Sequence, residues 1–234
     1  MTCPVVVEHD GIQVVRDDLF PGGTKARFLP VLFEDADEIV YATPAEGGAQ
    51  TALATVAANL GKRATLFVAK RRDPHPRSLM AKALGAKVYQ VTPGYLSVVQ
   101  ARADAYCRAT GAKRAPFGVD MPEAIAVIAE AAQATGINPN EVWCASGSGV
   151  LARALAAAWP GAKRHAVQVG RKLASEDVAG ATIHVHPLAF GQAARCVVPF
   201  PADPHYDAKA WEICRSKRGA GCVVFWNVTG PAVV

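Results

Sequence analysis

The sequence predicts an α/β fold built on parallel sheets, and two observations carry that expectation. Short apolar runs such as Ala64–Ala69 (ATLFVA), Lys87–Val91 (KVYQV) and Glu141–Ala145 (EVWCA) alternate with longer, Ala-rich runs of helical period. Parallel strands need crossover connections, usually helices, which then cover both faces of the sheet. The second observation is the lack of any competing organisation: there is no internal repeat and no low-complexity linker. No apolar run approaches the ~20 residues that span a bilayer.

In order, Glu38–Ala42 reads as a strand and Gly48–Leu60 as a helix ended by Gly61. Ala64–Ala69 is a strand, and Ser78–Leu84 a helix stopped by Gly85. Lys87–Val91 is a strand, followed by helices over Leu96–Thr110 and Pro122–Thr135. Glu141–Ala145 is a strand that runs into Ser-Gly-Ser-Gly and a helix over Leu151–Ala158. RHAVQVG (Arg164–Gly170) and ATIHVH (Ala181–His186) read as further strands, Asp207–Cys214 as a helix and Cys222–Trp226 as the last strand.

Half of the 234 residues are hydrophobic and 19% are charged, which marks a folded globule rather than a disordered chain. MTCPVVVEHDG has no basic segment leading into an apolar one, so the expected location is cytoplasmic, with no membrane partner. The six cysteines form no C-x-x-C pair, and most are expected to be small buried hydrophobes. The net charge of +5 gathers at Lys70–Arg72 with Arg77, Lys113-Arg114, Lys163-Arg164, and Arg215 with Lys217-Arg218. Such clusters are usually solvated loop ends, and the same balance suits a protein that touches phosphates. His184 and His186 sit two apart on an extended run and share a face, but no further ligands stand nearby. Packing, and no metal, is expected of them.

Five segments carry chemistry. Pro21-Gly22-Gly23 is a turn that sets Thr24 and Lys25 on a corner, where a lysine is ordinarily solvated. Gly47-Gly48 opens a helix whose first amides favour an anion. Ser146, Gly147, Ser148 and Gly149 lie between a strand and a helix, where backbone amides and hydroxyls approach a phosphate; G-x-G-x-x-G is not met. Tyr206-Asp207 starts a helix, with Asp207 as its cap. The fifth segment is the closing stretch VVFWNVTGP.

These segments, in this order, resemble the 1-aminocyclopropane-1-carboxylate deaminase and D-cysteine desulfhydrase family of pyridoxal-phosphate (PLP) enzymes, within the tryptophan-synthase-β-like group (fold type II). VVRDDLFPGGTKARFLP is similar to R-D-D-L-x-x-G-G-N-K-x-R-K-L, matching at Arg16, Asp17, Asp18, Leu19, Gly22, Gly23, Lys25 and Arg27, with Thr24 for asparagine and Phe28 for lysine. ATPAEGGAQTALA looks like the loop G-x-Q-S-N-x-T, with Gly48, Gln50 and Thr51 matching and Ala52 for the asparagine that bonds the ring oxygen. CASGSGVLA is similar to the phosphate cup A-S-G-S-G-G-T, with Val150 and Leu151 for the last two residues. DPHYDAKA resembles D-P-x-Y-[ET]-G-K-[SA], and VVFWNVTGP the ending L-F-x-H-T-G-G, with Asn227 for histidine and Thr229 near the threonine.

The resemblance implies two three-layer α/β domains with PLP in the cleft between them: residues 1–44 and 119–234 as the larger, residues 45–118 as a smaller insertion. Lys25 is implied to form the Schiff base and then act as base. Ser146–Gly149 would take the phosphate, and Gly48, Gln50 and Thr51 the substrate carboxylate. Tyr206 would lie over the substrate, and Asp207, with Thr229 as runner-up, would meet the pyridine nitrogen. A homodimer is implied, acting as a lyase or deaminase on a small amino acid. Two alternatives stay open. One is a PLP enzyme acting on an amino-acid group attached to a macromolecule, as in phage systems that elaborate DNA bases. The other is a catalytically silent PLP-binding relative.

Overall fold

The computed structural model describes residues 2–232 and divides them into two compact units. The larger holds residues 2–24 and Asp120–Pro231, the smaller Lys25–Val119. The larger opens with a hairpin of β1 (Val6–His9) and β2 (Ile12–Arg16), turning at Asp10-Gly11, where φ is 53° and 70°. This hairpin was not among the expected elements, although Asp-Gly between apolar runs favours a turn with two positive φ angles. Short 3-10 turns at Asp17–Leu19, Thr24–Arg27 and Leu29–Phe33 follow.

The smaller unit then builds β3 (Glu38–Thr43), α1 (Ala49–Leu60), β4 (Arg63–Ala69), α2 (Pro76–Ala83), β5 (Lys87–Val91), α3 (Leu96–Thr110) and β6 (Lys113–Arg114). The chain returns to the larger unit with α4 (Pro122–Gln133), β7 (Glu141–Ser146), α5 (Val150–Ala158), β8 (Lys163–Gln168), β9 (Thr182–Val185), α6 (Asp207–Lys217) and β10 (Val223–Asn227). The alternation expected from the sequence is present, with element ends displaced by a few residues.

The larger sheet has the order β1-β2-β10-β7-β8-β9, parallel throughout except for the hairpin. The smaller sheet is wholly parallel, β5-β4-β3-β6. β3 lies inside that second sheet, so residues 25–44 belong to the smaller unit together with 45–118. In the larger unit α6 sends Trp211 and Cys214 onto a face built from Ile12, Val14, Trp143, Val167 and Phe225. In the smaller, α3 brings Val99 and Ala103 onto Val40, Ala42 and Phe67. Strand side chains alternate in direction, and the opposite faces receive α5 on β7 and β8, and α1 on β3 and β4.

The cysteine expectation needs correction. Cys144 and Cys214 are buried, Cys107, Cys196 and Cys222 are half-buried, and Cys3 is exposed; all six are free. Burial pushes the Cys144 thiol up to about 12, with the neighbouring Asp207 charge adding to the effect. The charge clusters are also less uniform than expected. Arg77 is buried, while Arg71 pairs with Glu46, Lys113 with Asp35 and Arg114 with Asp104.

His184 and His186 do pack. His184 Nε2 lies 3.0 Å from His165 Nδ1, both rings stack with Trp143, and His186 faces Glu212 on α6. Burial holds the pKa of both His165 and His184 below the ordinary imidazole value, against the opposing pull of Glu141; Lys163 and Lys217 add to the lowering. Both rings are therefore neutral in the fold, one donating and one accepting. A second proton removes the acceptor. A histidine depressed in the folded state stabilises it above the unfolded pKa of ~6.5, and that contribution is lost as pH falls through the lower folded values. Urea unfolding from pH 7.5 down to 5 should show stability falling below about pH 6.5. His184→Gln should flatten that fall; an unchanged pH slope in the variant would count against the pair.

Candidate functional site

Three of the five segments singled out in the sequence stand at the ends of adjacent parallel strands. β2, β10 and β7 run side by side in one direction, so their carboxyl ends share one edge of the larger sheet. Arg16-Asp17-Asp18 leaves β2 there, Asn227-Val228-Thr229 leaves β10 and Ser146–Gly149 leaves β7. In open α/β sheets that edge is where ligands bind.

The turn before Lys25 is fixed by a buried knot of hydrogen bonds. The Thr24 hydroxyl donates to Asp17 Oδ2 at 2.8 Å and accepts from Trp226 Nε1 at 2.9 Å, while Thr24 N donates to Val228 O at 3.0 Å. Gly22 and Gly23 have φ of 89° and 71°, and a Cβ on Gly23 would collide with the Val228 carbonyl. Asp18 accepts from Nε and Nη2 of Arg16 at 2.7 and 2.8 Å and from Asn227 Nδ2 at 2.7 Å. The Arg-Asp-Asp run thus spends its side chains on seating the turn. Lys25 follows directly, half-buried on the 3-10 turn Thr24–Arg27.

The loop after β7 is shaped for an anion. Gly149 caps α5 with φ 96°, and a Cβ there would collide with the Asp177 carbonyl. Among the described residues, the Ser146 hydroxyl is buried without a hydrogen-bond partner. Such a hydroxyl is available to a ligand oxygen, and the amides opening α5 carry the positive end of its dipole. These features fit a phosphate.

Tyr206 lies against this loop, its hydroxyl donating to Ala145 O at 3.2 Å and standing 3.6 Å from where a Cβ on Gly147 would be. Burial, then the Asp207 charge, raises its pKa. The fully buried Asp207 carboxylate accepts from Val228 N at 3.1 Å and Thr229 N at 3.2 Å. Asp207 therefore holds the exit of β10 as well as starting α6. Sequence reasoning missed Lys209, two residues on and buried, with Nζ donating to Ala189 O at 2.7 Å. Burial lowers its pKa.

In the smaller unit, Gly48, Gln50 and Thr51 open α1. Gln50 turns inward: Nε2 donates to Ala45 O at 2.7 Å and Oε1 accepts from the Ser78 hydroxyl at 2.7 Å. Thr51 donates to Gly48 O at 3.0 Å and lies 3.5 Å from the buried Arg77 guanidinium. Both side chains brace the loop they stand on. Ser78 and Arg77, the partners of this brace, were not predicted as site residues.

No protein-family model and no curated protein matches the sequence. Solved structures do. An ACC deaminase homologue superposes with a TM-score of 0.77 at 16% identity, covering 94% of this chain and 84% of its own. The L-serine ammonia-lyase of the fungus Rhizomucor miehei gives 0.74 at 11%, covering 98% and 93%. The processed form of threonine deaminase isoform 2 from Solanum lycopersicum gives 0.68 at 15%, covering 96% and 76%. The chain therefore has the fold of these enzymes, the fold type II architecture that the five segments predict.

The Thr24 knot is testable. Thr24→Val keeps the side chain's shape and removes both hydroxyl bonds, leaving the Trp226 indole N–H buried without its acceptor. The cost should be about 2–3 kcal/mol of unfolding free energy, read from the midpoint of urea denaturation. A loss under about 0.5 kcal/mol would show that the knot does not hold the turn.

Proposed function

We propose that the chain is a PLP enzyme that works at the α-carbon of a small free amino acid, with Lys25 as the residue that holds the cofactor. The observation that carries this reading is the shared sheet edge: a rigidly seated Gly-Gly-Thr turn leading into a lysine, next to a loop with a buried, unpartnered hydroxyl and a helix start. In our reading Ser146, Gly147, Ser148 and Gly149 hold the phosphate. When bound, PLP withdraws electrons from the α-carbon of an amino acid joined to it. The amine of Lys25 would hold the cofactor, and as a free amine it would accept or return the proton at the substrate's α-carbon.

Tyr206 closes the side of the phosphate loop. Asp207, whose carboxylate also anchors the Val228 and Thr229 amides, is the group we assign to the pyridine nitrogen, with the Thr229 hydroxyl as its competitor. Gly48 and the first amides of α1 orient the substrate carboxylate, while Gln50 and Thr51 keep that loop in shape. We take the substrate to be free rather than carried on DNA, because several of the cationic clusters are paired within their own unit: Arg71 with Glu46, Lys113 with Asp35, Arg215 with Asp10. A homodimer in the cytoplasm is carried forward from the resemblance.

The test is chemical. Protein loaded with PLP and treated with borohydride should yield one modified peptide, containing Lys25, and Lys25→Ala should yield none. Modification at Lys209 instead would overturn the assignment. A screen of free amino acids for released ammonia or keto acid then separates an enzyme from a silent binder.

A further inference from the structure

We propose that Arg171 is a positioning residue for the phosphate loop, one that aims the Gly149 amide and strengthens it as a donor. The proposal rests on the reading of Ser146–Gly149 as a phosphate site. After β8 the chain passes along the outside of that loop. Arg171 NH2 donates to the Ser148 carbonyl at 3.2 Å, and the same guanidinium grips Asp177 at 2.7 and 3.2 Å. Asp177 Oδ2 also takes Ala174 N at 2.8 Å, and its main-chain carbonyl occupies the space a side chain on Gly149 would need. Two ends of one short segment thus press on two consecutive residues of the loop.

Stability is not what this arrangement supplies. The Arg171 side chain is 43% exposed and that of Asp177 27%, and ion pairs so solvated contribute little. Its effect is on direction. In a trans peptide the carbonyl and the following N–H point opposite ways. Holding the Ser148 carbonyl on the outer side turns the Gly149 N–H away from Arg171, toward the inner side of the loop. A cation on the oxygen also polarises that peptide and makes its N–H a stronger donor. The need is legible in the sequence: Val150 and Leu151 stand where the resembling pattern ends in glycine and threonine. One hydroxyl donor is missing, and more of the anion's binding falls to the amides.

The experiment compares PLP with pyridoxal, which lacks the phosphate, by titrating apoprotein and following absorbance and tryptophan fluorescence. Arg171→Gln should weaken PLP about tenfold, leave pyridoxal affinity unchanged and leave the melting temperature of the apoprotein in place. Arg171→Lys should recover part of the loss. An equal loss for both ligands would mean general damage to the fold and overturn the proposal, as would no loss for either. If the unmutated protein binds PLP no better than pyridoxal, the phosphate reading itself fails and the role of Arg171 falls with it. If PLP is preferred and Arg171→Gln preserves that preference, only the positioning role fails.

Discussion

One threonine hydroxyl joins the two ends of the larger unit. Thr24 sits between Asp17, at the end of β2, and Trp226, in β10, and all three are buried. That hydroxyl both donates and accepts, so its position is fixed from two sides. Through Val228 the knot continues to Asp207 and so to the start of α6. The lysine turn, the exit of the central strand and the segment bearing Tyr206 are therefore parts of one hydrogen-bonded assembly.

The assembly also shows which side chains serve the scaffold. Arg16, Asp17, Asp18 and Asn227 all lie at the site edge, yet their bonds tie them to one another, to Thr24 and to Pro201 O. Gln50 and Thr51 do the same for the smaller unit's loop. Ser146 differs from them in that its hydroxyl, buried among the described residues, makes no bond to the scaffold.

Much of this was legible in the sequence, and the rest was hidden for definite reasons. The strand and helix order follows from periodicity and from glycines such as Gly61 and Gly111, both left-handed caps in the structure. The turn before Lys25 and the loop Ser146–Gly149 fall at strand ends, where the strand order of the sequence puts them. Side-chain direction does not: Gln50 points at its own loop because Ser78, twenty-eight residues away, donates to it, and no local window contains both. Arg77 reads as one more surface cation beside Lys70–Arg72, yet the approach of α2 to α1 buries it. Asp10-Gly11 was a visible hairpin signal, obscured because its partners form an edge of a sheet otherwise built by crossovers.

The hairpin has a consequence for synthesis. β2 lies between β1 and β10, and β10 is its parallel neighbour. Thr24 and Trp226 are 202 positions apart. During translation β2 is made long before β10, and its inner edge stays unpaired for that interval. The smaller unit, contiguous from Lys25 to Val119, has all its strands in hand long before then. An apolar edge left open for that interval invites pairing with another nascent chain. Strand β1 covers one flank of β2 from the outset, which halves the exposed edge while the ribosome completes the rest.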